Sequence, residues 1–174
     1  MKKVTRRTVL KNLLGISIWS GLLQTVCLSS VQSSNQRSKA NMIIIWKRKR
    51  RMSLFHDRSL IKTYRIRLGF NPIGHKQKEG DGKTPEGRYF VTHHNPNSAY
   101  HKSLGISYPN SEDKANAHKR NEAPGNNIFI HGGPKNILTH FFSDWTSGCI
   151  AVFDNEIEEI YHLVPDGTVV YIYS

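Results

Sequence analysis

Apolar residues come in short bursts along this chain, and the spacing within each burst predicts a backbone. NMIIIW (41–46), RMSLF (51–55) and LIKTYRIRLG (60–69) read as β-rich runs separated by turn-like breaks, with HDRS (56–59) as one turn. In the third run, Ile61, Tyr64, Ile66 and Leu68 fit a strand with one buried face, though only approximately. The next stretch, 69–89, is dense in glycine, proline and charge, and predicts a long loop feeding a strand around Arg88–Thr92. Residues 94–126 are polar. Within them, Ser111–Arg120 predicts a helix, with acids at its start and bases at its end. NIFIH (127–131) reads as a buried strand ending at a histidine, and GCIAV (148–152) is a second apolar run. DNEIEEIYHLV predicts a helix: Asp154 or Asn155 can cap it, and Ile157, Ile160, Tyr161 and Val164 share one face. Pro165-Asp166-Gly167 ends that helix and TVVYIY (168–173) is a closing strand. The pattern as a whole predicts a mainly β domain with one or two short helices and no internal repeat.

Composition bounds the setting. At 174 residues and 37% hydrophobic content, the chain has one sizeable core. The net charge of +12 would ordinarily point to nucleic acid or an anionic surface. The first 30 residues change that reading. Lys2, Lys3, Arg6, Arg7 and Lys11 form a basic head, Leu13–Leu23 an apolar stretch too short to span a membrane, and Ser29 and Ser30 a small-residue site. This is the layout of an export signal, and TRRTVLK (5–11) gives it a twin-arginine character. Val26 occupies the place where a small residue would precede a lipidated Cys27, which argues against a lipid anchor. Removal of residues 1–30 takes away five basic residues and no acidic ones, leaving +7. The expected organisation is a signal at 1–30, a linker at 31–40 and one domain at 41–174. An exported protein of the periplasm or envelope has no nucleic-acid partner. The basic run KRKRR (47–51) reads first as a solvated strand face, with an anionic envelope surface as its other use.

The mature chain then carries one cysteine, Cys149, into a compartment that favours disulfides. Without a partner it is either sealed in the core or used. His131, eighteen residues upstream, is a candidate base for a thiol nucleophile. Gly132 and Gly133 permit close backbone approach beside it, and Gly148 can orient N–H groups toward a developing oxyanion. Thr146 and Ser147 supply hydroxyls. Trp145 and Asp144 read as part of a substrate lid or as packing, and His75 as a cleft residue or a loop organiser. Thr84-Pro85-Glu86-Gly87 reads as a turn. No compact His-x-x-x-His spacing appears, so the sequence predicts no metal and no organic cofactor.

His-Gly-Gly at 131–133 followed by Thr-Ser-Gly-Cys-Ile at 146–150 resembles the signature of the L,D-transpeptidase (YkuD-type) catalytic domain. The segment Leu68–Tyr89 is similar to one that precedes it in a short exported branch of that family, and residues 156–173 also fit. The resemblance covers roughly 41–174. It implies a β-sandwich with Cys149 as nucleophile, His131 as base, Gly132 orienting the histidine and Gly148 at the oxyanion hole. It also implies attack on peptidoglycan tetrapeptide stems at the L-centre of diaminopimelate, with loss of D-alanine. The acyl group then passes to an amine of another stem (a 3→3 crosslink), to a lysine of an anchored envelope protein, or to water. Acylation by carbapenem-type inhibitors is implied as well. Many members carry histidine where this chain has Ser147 and arginine where it has Ala151. A hydrolase on the same linkages and a non-catalytic wall-binding module are the alternatives.

Overall fold

The computed structural model describes residues 38–134, 136, 138–139 and 144–174. The predicted export signal and most of the predicted linker lie outside them. The described chain is mostly β sheet with two helices. Its elements run β1 (Met42–Trp46), β2 (Arg51–His56), β3 (Ser59–Arg65), β4 (Gly87–Ser98), β5 (His101–Ile106), α1 (Ser111–Lys119), β6 (Phe129–His131), β7 (Ile150–Ala151), α2 (Asp154–Leu163) and β8 (Val169–Tyr173).

Hydrogen bonding orders the strands β3-β2-β1-β8-β4-β5-β6-β7. The long β4 belongs to both halves: Gly87–Phe90 pairs with β8, and the stretch from Val91 onward pairs with β5. The two ends of this path also meet, because Arg67 bridges Ala151 and Gly69 bridges Thr146. The sheet therefore rolls over on itself and encloses one core, built from Ile43, Ile45, Met52, Leu54, Tyr64, Leu104, Ile130, Ile150, Ile157, Ile160 and Ile172 among others. β1 and β8 alternate buried and half-buried positions, which is the period-2 signal of their sequences.

Three expectations are corrected. KRKRR is not a strand face. Its first four residues form the β1–β2 turn, with Arg50 at φ 49°, and Lys47 is buried. The Lys47 ammonium is fully engaged, donating to Gly74 O (2.6 Å), Thr84 O (2.8 Å) and Glu86 Oε1 (2.9 Å). Burial lowers its pKa, and the contact with Glu86 opposes that. A strand, β5, runs through the polar region 94–126. The α2 N-cap is Phe153, so Asp154 falls inside the helix and its carboxylate serves elsewhere. The Glu156 side chain accepts from Phe153 N (3.0 Å). The predicted helix at Ser111 begins on schedule, with Asn110 and Asp113 in a reciprocal capping box.

Candidate active site

β6 and β7 are parallel neighbours, with Ile130 opposite Ile150 and His131 opposite Ala151. Val152 N closes the ladder on His131 O at 2.9 Å. His131 is the last residue of β6, and Cys149 immediately precedes β7. Residues eighteen apart in sequence are thereby held on adjacent strands, two ladder positions apart.

The His131 ring is buried, with 3% exposure. Its Nδ1 lies 2.6 Å from Gly132 O. A carbonyl oxygen only accepts, so Nδ1 carries the proton, and in the neutral ring Nε2 is left as the basic nitrogen. Tyr100 stacks on the imidazole (centroids 4.7 Å apart, 28° between planes), and Trp145 meets it edge-on at 5.6 Å. The loop that follows is pinned by α2, because Gly133 N donates to Asp154 Oδ1 at 2.7 Å. Gly132 is required by space: a Cβ there would lie 2.6 Å from Asp154 Oδ1 and 3.0 Å from Ile157 Cγ2.

Cys149 is half-buried and unpaired. Burial pushes its thiol pKa up, opposed by a hydrogen bond from the Phe129 backbone and by the charge of Lys76. The thiol donates to Asn127 O at 3.6 Å. It opens onto a cleft of about 280 Å³ lined by Lys76, Glu79, Gly125, Asn126, Asn127 and Ser147, among others. The turn before it is rigidly built. Thr146 Oγ1 donates to Cys149 O (2.8 Å) and accepts from Gly148 N (3.1 Å). Gly148 sits at φ +133°, and a Cβ there would lie 2.7 Å from Lys83 O. Upstream, Asp144 accepts both Arg50 Nε (2.9 Å) and Arg50 Nη2 (2.6 Å), and also takes Leu68 N at 3.0 Å.

These positions sort the sequence candidates. Cys149 and Ser147 share the cleft. His131 is packed beneath Tyr100 and Trp145, so Trp145 braces the imidazole and Asp144 anchors the turn to β1–β2. Thr146 is buried and both its side-chain hydrogen bonds lie within the turn, so its hydroxyl builds the turn and does not open onto the cleft. The N–H of Gly148 is committed to Thr146, which leaves the Cys149 N–H as the donor of this turn suited to an oxyanion. His75 does not reach the cleft. Its Nδ1 accepts from Glu86 N (3.0 Å) and its Nε2 faces Asp113 Oδ1 (3.1 Å), so it organises the 69–89 loop against α1. Glu86 in turn is held by Lys47. Sequence reasoning missed Tyr100, Lys76 and Asn127: Tyr100 and Lys76 lie far from the Cys and His motifs in sequence, and Asn127, at the start of the run that ends at His131, contributes a backbone carbonyl that composition does not signal.

In this β-rich fold a histidine-terminated strand runs beside a strand led by an unpaired thiol. The model of the YkuD L,D-transpeptidase catalytic domain matches residues 40–172, and the chain belongs to that family. YafK of Escherichia coli (strain K12), a protein assigned to the L,D-transpeptidases, is 31% identical over 133 residues, covering 73% of this chain and 48% of YafK. Among solved structures, the helical cell shape determining protein Pgp2 of Campylobacter jejuni has a TM-score of 0.59 at 26% identity, covering 78% of this chain and 48% of Pgp2. The L,D-transpeptidase LdtMt1, solved in complex with imipenem, shares the fold with a TM-score of 0.52 at 11% identity over 77% of this chain and 59% of its own. The chain spans about half the length of YafK and Pgp2. Among the described residues, no helix is long and apolar enough to cross a membrane.

Proposed function

We propose that this protein is an exported cysteine acyltransferase of peptidoglycan stems, with Cys149 as nucleophile and His131 as base. The observation that carries the reading is the 2.6 Å contact from His131 Nδ1 to Gly132 O, which leaves Nε2 basic on the strand beside the thiol. A half-buried thiol with a raised pKa is a poor nucleophile until a base accepts its proton, so the imidazole is needed. The Cys149 proton passes to His131 Nε2 as Sγ attacks the carbonyl of the L-centre of diaminopimelate. The backbone N–H at the Gly148–Cys149 turn receives the oxyanion. The intermediate collapses, His131 gives its proton to the departing amine, and D-alanine leaves with a thioester on Cys149. An acceptor amine, from a second stem or from an anchored envelope protein, attacks the thioester and returns a proton through His131. Water in place of the amine makes the same site a hydrolase. Carbapenems acylate Cys149 by the same first step, with opening of the lactam ring.

Purified tetrapeptide stems incubated with the protein, with Cys149→Ala in parallel, test this. Released D-alanine with 3→3 dimers is the outcome for transfer, and tripeptide without dimers is the outcome for hydrolysis. Unchanged stems, including those that already carry 3→3 or protein linkages, would remove the enzymatic reading in favour of a wall-binding module.

A further inference from the structure

Among the described residues, Lys76 is the one cation lining the Cys149 cleft, and its surroundings are built rather than incidental. The side chain is buried, with 3% exposure. Two of its three ammonium hydrogens go to Asp81 Oδ1 (2.8 Å) and Lys78 O (3.0 Å). Backbone also holds the Asp81 carboxylate: Gln77 N (2.8 Å), Lys78 N (3.1 Å) and Lys83 N (3.0 Å) all donate to it. Those amide dipoles hold Asp81 ionised without cancelling its charge, but of the pair Lys76 lines the cleft and Asp81 does not, and the Lys76 charge opposes the rise in the Cys149 pKa. Across the cleft, Gly125 sits at φ +75°, where a Cβ would lie 3.2 Å from Glu79 Cα. Glu79 stands at the rim but is exposed, so solvent screens it more than it screens the buried lysine. Ala151 offers no charge, and Arg67, bonded across from it, is buried with a guanidinium hydrogen on Ile66 O and does not line the cleft.

We propose that Lys76 is the carboxylate subsite of this cleft, seating the free α-carboxylate of a leaving C-terminal amino acid next to the carbonyl attacked by Cys149. The ligand class is a peptide with its terminal carboxylate one residue beyond the scissile bond, which sets cleavage at the chain end. This rests on the acyl-transfer reading above for its substrate, while the anion preference of the cleft stands on its own.

The test uses two alkylating probes of nearly equal shape, anionic iodoacetate and neutral iodoacetamide, on the full chain at one pH. Their rate ratio at Cys149 cancels the thiolate fraction and reads only the attraction for a carboxylate. Lys76→Met should lower the iodoacetate-to-iodoacetamide ratio about five-fold, and Lys76→Arg should retain it. Asp81→Asn, which loosens the same loop but keeps the cation, should hold or raise the ratio. With peptide substrates, Lys76→Met should raise KM for the free acid more than for the C-terminal amide, with kcat less affected. A ratio unchanged by Lys76→Met would overturn the proposal. So would parallel changes for both reagents in Lys76→Met and Asp81→Asn, since that is what a purely structural lysine gives. A lowered ratio in a protein that leaves all stems intact supports the subsite while removing the transpeptidase reading.

Discussion

At the scale of single residues, the thiol of Cys149 is in tension with its surroundings. Burial favours the neutral form, and the resting hydrogen bond to Asn127 O uses the thiol as donor. Iodoacetamide labelling should therefore follow one titration with a midpoint above the ordinary thiol value of about 8.5, not the flat neutral-pH plateau of a resting thiolate–imidazolium pair. The same shift has a consequence for stability. A folded-state pKa raised above the unfolded value means the folded state binds its proton more tightly, so this stabilisation is full below about pH 8.5 and lost as pH rises through the folded value. Urea midpoints at pH 7 and pH 10 should show the parent losing stability relative to Cys149→Ala at the higher pH; equal differences at both would contradict the assignment. Cys149 and His131 stand out in the sequence as a candidate pair because their flanking glycines and hydroxyls cluster within a few positions. Tyr100, Lys76 and the burial of Lys47 were not, since each depends on partners far off in the chain, as Lys47 depends on Gly74, Thr84 and Glu86.

At the scale of elements, two clamps hold the site. The first is the fit of the 132–133 turn against α2. Gly132→Ala forces a methyl against Asp154 Oδ1 and Ile157, and should destabilise by about 1–3 kcal/mol, read as a shift in urea midpoint. The second is Lys47, which fastens the 69–89 loop to β1. Lys47→Met strands two carbonyls and the Glu86 carboxylate, a loss of about 3 kcal/mol, whereas Lys49→Ala in the same turn should stay within about 0.5 kcal/mol. Similar effects for both lysines would mean the buried ammonium is not the fastener. Elements with strong periodicity were readable from sequence: α2 from its i, i+3, i+4, i+7 face, β1 and β8 from alternation. β5 was not, because HKSLGI offers only Leu104 and Ile106 as apolar signal. Its Gly105 answers to a neighbour, since a Cβ there would lie 2.3 Å from His93 Cε1. The far half of β4 escaped too, because Asn95 and Ser98 pair with β5 on either side of a register irregularity at Pro96-Asn97 that composition does not encode.

At the scale of the whole molecule, the rolled sheet explains why loops from distant parts of the chain converge on one sulfur. The Arg67–Ala151 and Gly69–Thr146 bridges close the sheet and deliver the 69–89 loop, with Lys76, to the cleft whose other wall is 125–128. The +7 charge expected of the mature chain is compatible with an anionic envelope but does not itself define the site. A carbapenem should add its full mass to the parent protein and none to Cys149→Ala. The most direct measurement of the central claim is the intact mass of the protein mixed rapidly with a tetrapeptide stem and quenched in acid. The account predicts an adduct equal to the stem minus D-alanine, mapped to Cys149 and absent from Cys149→Ala. Turnover of the stem with no adduct on Cys149, or an adduct that persists in Cys149→Ala, would contradict it.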